Sequence, residues 1–157
     1  MKTLRLVIAA LVLLVALPAF AQDKPASNMD ILRQKIQADK KLLVAANMEL
    51  TEAEATRFWP VYDAYQADLG TINARIAQLI KDYAGQYNAK SLTDDVAQRL
   101  MQEALAIEQA EVTAKQAAMA KASAALPATK AARYMQIENK IRAVIKFELA
   151  DGIPLVP

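Results

Sequence analysis

Between residues 58 and 83 the large apolar side chains fall at Phe58, Tyr62, Tyr65, Leu69, Ile72, Ile76, Leu79 and Tyr83, in alternating steps of four and three. That spacing brings a side chain back to one face of an α-helix at every turn. Sustained over more than three heptads, it makes a seam that another helix must cover along its length. A β-strand would scatter the same residues over both faces of a sheet. The chain is therefore expected to be built around one long helix and a partner of comparable length.

Start and stop signals divide the sequence into four helices. The first is expected from Met29 to Ala46, with Ser27 or Asn28 at its start and Ile31, Leu32, Ile36 and Leu43 on its apolar side. The second begins after Thr51, where Thr51 and Glu54 have the spacing of a capping box, each side chain satisfying the other residue's free backbone N–H. It runs to Tyr87 and is ~50 Å long at the usual rise per residue. Pro60 lies near its start and predicts either a bend or a separate short helix. The third begins after Thr93, with Asp94 and Asp95 at the positive end of its dipole, and runs to Ala124. Pro127 is placed in the first turn of the fourth, which ends near Asp151 and Gly152 ahead of Pro154. The fold class is all-α: a long antiparallel helical hairpin flanked by two shorter helices.

The first residues set the compartment. Lys2 and Arg5 precede an apolar run from Leu6 to Ala16, then Pro18 and Ala19-Phe20-Ala21, the order of a secretory signal peptide with a cleavage site. The run is shorter than a membrane-spanning helix, and no cysteine follows that could carry a lipid. The expected organisation is a signal peptide at 1–21, a flexible leader at 22–28, a helical domain at 29–152 and an apolar tail at 153–157. The mature chain is expected in the periplasm, without an integral membrane segment after processing. Two of the 19 Lys and Arg lie in the leader peptide, which leaves 17 against 17 Asp and Glu. A neutral chain gives no electrostatic reason to expect nucleic acid as a partner.

Histidine and cysteine are both absent. The usual general base near neutral pH is therefore missing, as are the axial and bridging ligands of haem and di-iron bundles. The few serines, Ser27, Ser91 and Ser123, have no context for activation. Asp63, Asp68, Asp94 and Asp95 do not share a metal-binding face. The expectation is a non-enzymatic protein with no cofactor, no metal and no catalytic residues.

Three helix starts share a pattern, L-[TP]-x-x-x-A-x-R-apolar. Leu50-Thr51 is followed by Ala55, Arg57 and Phe58; Leu92-Thr93 by Ala97, Arg99 and Leu100; Leu126-Pro127 by Ala131, Arg133 and Tyr134. The first and third copies also align Val61 with Ile137, Tyr65 with Ile141 and Leu69 with Ile145. The leading leucine can staple the first turn, the alanine permits close approach, and the closing apolar residue enters the core.

With its leader peptide and helical mature chain, this repeated start resembles the LTxxQ-motif periplasmic proteins of the Spy/CpxP type. Glu54, Val96 and Lys130 stand where that motif has glutamine, and Pro127 replaces the last threonine. The resemblance implies a helical hairpin that dimerises into a curved cradle and binds unfolded envelope proteins without ATP. Some members of the family restrain a sensor kinase instead. The zinc-binding branch is not implied without histidine. The partners expected are unfolded or envelope proteins and a second copy of the chain. The alternative is a dedicated envelope interaction or stress-signalling protein with one folded partner.

Of the remaining candidates, Trp59 is read either as a client contact or as a ring packed under the first or last helix. Glu138 and Arg142 are read as a solvated pair one turn apart. The Ala- and Met-rich run 117–125 is read as close helix packing, with a flexible Met-containing surface for varied clients as the alternative. The tail at 153–157 is left to fold back over the hairpin or to extend to a partner.

Overall fold

In a computed structural model, residues 39–157 are described, and they form an all-α protein of four helical segments without a strand. These are α1 (39–48), α2 (Glu52–Ala89), α3 (Asp94–Ala125) and α4 (Ala128–Gly152). The expected signal peptide, the expected leader and the expected start of the first helix, with Ile31, Leu32 and Ile36, lie outside the described residues. The part of α1 that is described continues two residues past Ala46 and buries Val44 and Met48.

The helix boundaries follow the local chemistry. Thr51 caps α2 with both bonds of the capping box: Glu54 N–H donates to Thr51 Oγ1, and Thr51 N–H donates to Glu54 Oε2 at 2.8 Å. Thr93 caps α3 in the same manner through the N–H of Val96. Pro127 stands one place earlier than expected, as the N-cap of α4, and its carbonyl accepts from Lys130 and Ala131. Helix α2 runs through Pro60 without a break, which excludes a separate short helix. Pro60 is exposed, so the carbonyl that it leaves unbonded lies on the solvent side. The helix ends at Lys90, which takes the left-handed conformation with φ 54°. That conformation is costly for any residue with a Cβ. Lys90→Gly should raise the stability by about 1 kcal/mol, seen as a higher midpoint in urea at an unchanged slope.

Helices α2 and α3 are antiparallel neighbours. Arg57 donates to the Ala125 carbonyl at one end, and Arg75 bonds Glu103 near the other. Helix α4 runs back along α3, with Lys115 bonded to Asn139 and Lys146 3.7 Å from Glu108. It meets α2 through long side chains: Phe58 on Tyr134, Gln66 on Glu138 and Asn73 on Arg142. Helix α1 lies along α2 and α4 at the end where α3 turns into α4, with Lys40 bonded to Gln66 and Glu138 and the Glu49 carbonyl bonded to Lys130. There Val44, Met48, Phe58, Tyr62, Tyr65, Leu69, Ala118, Ala122, Leu126, Ala131 and Tyr134 form one apolar core. The small Ala118 and Ala122 are the buried members of the Ala-rich run, and Met119 packs at the edge.

The seam follows expectation as far as Ile72, with Phe58, Tyr62, Tyr65, Leu69 and Ile72 buried. Beyond it the buried line departs: Ile76, Leu79 and Tyr83 are only half-buried, and Ile80 and Ala84 are buried instead. A straight helix turns away from a strict seven-residue repeat by ~20° per heptad. Over three heptads that drift carries the core-facing line onto the neighbouring residues.

Candidate interaction surface

The first and third helix starts lie together at the end where α3 turns into α4. Leu126, Phe58, Ala131 and Tyr134 are in its core, and Leu50 packs against it. Phe58 and Tyr134, which close the two motifs, meet edge to face with centroids 4.9 Å apart and planes at 85°. Charges fasten the contact from outside. Lys130 bonds the Glu49 carbonyl and Glu54 Oε2, and Arg133 lies 3.4 Å from the Glu49 carboxylate. The bond from Lys130, followed by that from the Thr51 backbone, holds the Glu54 carboxyl below its ordinary pKa. The contribution of Glu54 to stability is thus complete above the usual glutamate range and is lost as the pH falls through the lowered value of the folded state. Glu54→Gln should melt below the unaltered protein at about pH 6, and the gap should close towards about pH 3.

Behind this junction lies a polar layer built around Glu138 and Arg142. Glu138 is 0% exposed and Arg142 is buried, so they do not form a solvated pair. Both reach α2, and beyond it Glu138 bonds α1 while Arg142 pairs with α3. Glu138 Oε2 accepts from Lys40 Nζ at 2.8 Å and Oε1 accepts from Gln66 at 3.3 Å; Lys40 also donates to Gln66 Oε1. Arg142 donates to Asn73 Oδ1 at 3.1 Å and pairs with Glu111, whose other oxygen is 3.2 Å from Lys146. Burial lowers the pKa of Lys40 against the opposing pull of Glu138, and burial likewise lowers that of Arg142. Tyr62, Tyr65 and Tyr134 line the same space. Burial, and then the charge of Glu138, raises all three hydroxyls, that of Tyr65 to about 12. The Tyr134 hydroxyl is buried against the carboxylate but does not reach ordinary hydrogen-bond geometry. Every charge of this layer has an opposite charge or an amide beside it, the arrangement of a structural network.

A signal for this layer was present in the sequence. The alignment of the first and third motifs continues from Phe58 and Tyr134 to Tyr62 and Glu138, so Glu138 occupies a seam position. Four residues on, Gln66 aligns with Arg142, and Gln66 is a direct partner of Glu138.

Trp59 is half-buried. Its ring packs on Phe58 and Tyr62 at 5.1 and 5.4 Å, and Lys41 Nζ lies 5.1 Å from its centre. Lys41 also pairs with Asp63 at 2.7 Å. Asp94 and Asp95 sit in the first turn of α3. Among the described residues no group of three or more Asp or Glu is gathered as a metal site, and no helix is long and apolar enough to cross a membrane.

Exposed large apolar residues occur on α1 (Leu42), on α4 (Met135 and Phe147), in the tail (Leu155 and Val156) and on α3. Met101, Leu105 and Val112 are exposed on α3 at steps of four and seven, which puts them on one face. Glu108 lies between them in that row and is paired with Lys146. Near Met101, the second helix start lines an apolar recess of about 270 Å³ between the far ends of α2 and α3. The tail forms part of its wall. Tyr83 Oη donates to the Pro154 carbonyl at 2.9 Å, and Ile153 and Val156 face the recess. The tail therefore folds back over the hairpin. No family model, no curated protein and no solved structure matches the chain.

Proposed function

We propose that the mature chain is a periplasmic, ATP-independent chaperone-like protein that binds unfolded envelope proteins and slows their aggregation. The observation that carries this reading is the exposed row of Met101, Leu105 and Val112, interrupted by the Glu108–Lys146 pair. An unbranched methionine beside leucine and valine offers apolar contact that adapts to many sequences. The neighbouring charges keep the surface hydrated and the affinity modest. The resemblance of the helix starts to the Spy/CpxP type supports the same reading and adds assembly as a homodimer to the proposal. Trp59 presents only part of its ring and is the weaker contact.

The test is light scattering from several unrelated clients diluted out of denaturant, with and without the mature protein. Suppression is expected, with a clear loss when Met101, Leu105 and Val112 are all replaced by serine. Trp59→Ala should have the smaller effect. Failure to suppress any client would reject the reading. A second reading, a dedicated envelope or stress-signalling partner, is favoured by the compactness of the tail-lined recess. In a pull-down from periplasmic extract that reading requires one stoichiometric partner in place of many.

A further inference from the structure

The three helix starts are alike in sequence but not in what covers them. The first and third cover each other at the end where α3 turns into α4, where Phe58 lies on Tyr134. The second stands alone at the opposite end. Its leucine, alanine and closing apolar residue, Leu92, Ala97 and Leu100, all line the recess of about 270 Å³. No helix completes that wall; the tail does. Helix α4 closes with the Ile153 N–H bonded to the Leu149 carbonyl, and Pro154 prevents another turn. Ile153 and Val156 then face the recess, and Tyr83 holds the Pro154 carbonyl.

We propose that the surface beneath the tail, together with the recess left beside it, is a docking site for an extended, apolar, proline-containing peptide segment, and that residues 153–157 cover part of that surface in cis. The tail itself shows what chemistry the site accepts: aliphatic side chains spaced along a chain that proline keeps extended, and one main-chain carbonyl taken by a tyrosine hydroxyl. The recess is aliphatic with one aromatic ring, Tyr83, and an extended proline-containing chain has little conformational freedom left to lose on docking there. The tail is a shallow occupant. Leu155 is 90% exposed, Val156 is 57% exposed, and open volume remains beside them. A segment with larger side chains would fill the recess better and displace it. The inference rests on the chaperone reading, for which the recess would select apolar stretches of an unfolded chain.

The test uses the full mature chain and an acetylated peptide, Ile-Pro-Leu-Val-Pro, followed by nuclear magnetic resonance titration. The tethered tail competes at a high effective concentration, so Ile153→Asp with Val156→Asp should tighten peptide binding by about tenfold or more. Adding Met101→Glu at the exposed rim should abolish it, and Tyr83→Phe should weaken it. In the unaltered chain, saturating peptide should shift the methyl signals of Leu92, Leu100 and Val156. Equal binding with and without the tail substitutions would overturn the proposal, as would binding indifferent to Met101→Glu or no shift at those methyl groups. A doubling of particle mass on release of the tail, without peptide binding, would assign the recess to a second copy and overturn it as well. Aggregation suppression is measured separately. If it persists while the peptide fails to bind, the docking site falls and the chaperone reading stands.

Discussion

Methionine in place of Lys40 is expected to lower stability by about 3–5 kcal/mol, far more than the reciprocal change at Glu138. The two partners are not equally buried: the Lys40 side chain is 20% exposed and that of Glu138 is 0% exposed. Removing Lys40 strands a carboxylate between Tyr62, Tyr65 and Tyr134 with only the Gln66 amide for company. Removing Glu138 leaves an ammonium on a flexible stem that can swing into water. Glu138→Met should therefore cost on the order of 1 kcal/mol. The double variant should recover most of the loss, because an apolar pair of similar volume needs no desolvation. Urea unfolding of the four proteins measures all of this. Equal losses from the two single changes would show that Glu138 is not held as tightly as the geometry states.

This asymmetry also marks where the sequence was legible and where it was not. Helix starts depend on the chemistry of a few adjacent residues, so Thr51, Glu54 and Thr93 could be read directly. The all-α class followed from the step of four and three at Phe58 through Ile72. The far end of the seam was misplaced because a repeat of seven and a turn of 3.6 residues part company with distance. Leu79 and Tyr83 thereby become half-buried walls of a recess, which Ile80 also lines, and the buried positions pass to Ile80 and Ala84. The buried ion pairs were misread for a different reason. Glu138 and Arg142 one turn apart have the spacing of a surface pair, and only the cross-helix partners Lys40, Gln66, Asn73 and Glu111 reveal them as interior groups. Those partners are up to 98 residues away in sequence. The covering of the second helix start by the tail depends equally on distant residues, since Tyr83 and Pro154 are 71 apart.

Phe58→Ala should cost about 3–5 kcal/mol, the range for deleting a fully buried aromatic ring. Phe58 is 0% exposed. It belongs to the core shared with Val44 and Met48 of α1, Ala118 and Ala122 of α3, and Tyr134 of α4, so its ring is common to all four helical segments. Three contributions are lost together. The ring area returns to water only in the unfolded state, so its transfer energy is forfeited. The edge-to-face contact with Tyr134 adds roughly 0.5–1.5 kcal/mol. A cavity also remains, because the nearby Ala118 and Ala122 have no side-chain length with which to fill it. Phe58→Leu, which keeps most of the volume, should cost less than about 1.5 kcal/mol. The exposed Leu105 supplies the contrast: Leu105→Ala should stay within about 0.5 kcal/mol of the unaltered protein. Urea midpoints measured together rank the three variants. A loss at Phe58→Ala no greater than at Leu105→Ala would mean that the helices do not meet on this ring, and that the first and third helix starts do not cover one another. With the expected ranking, a single aromatic position joins the helix-start repeat to the stability of the whole domain, while the α3 row proposed to bind clients can be altered at little cost to the fold.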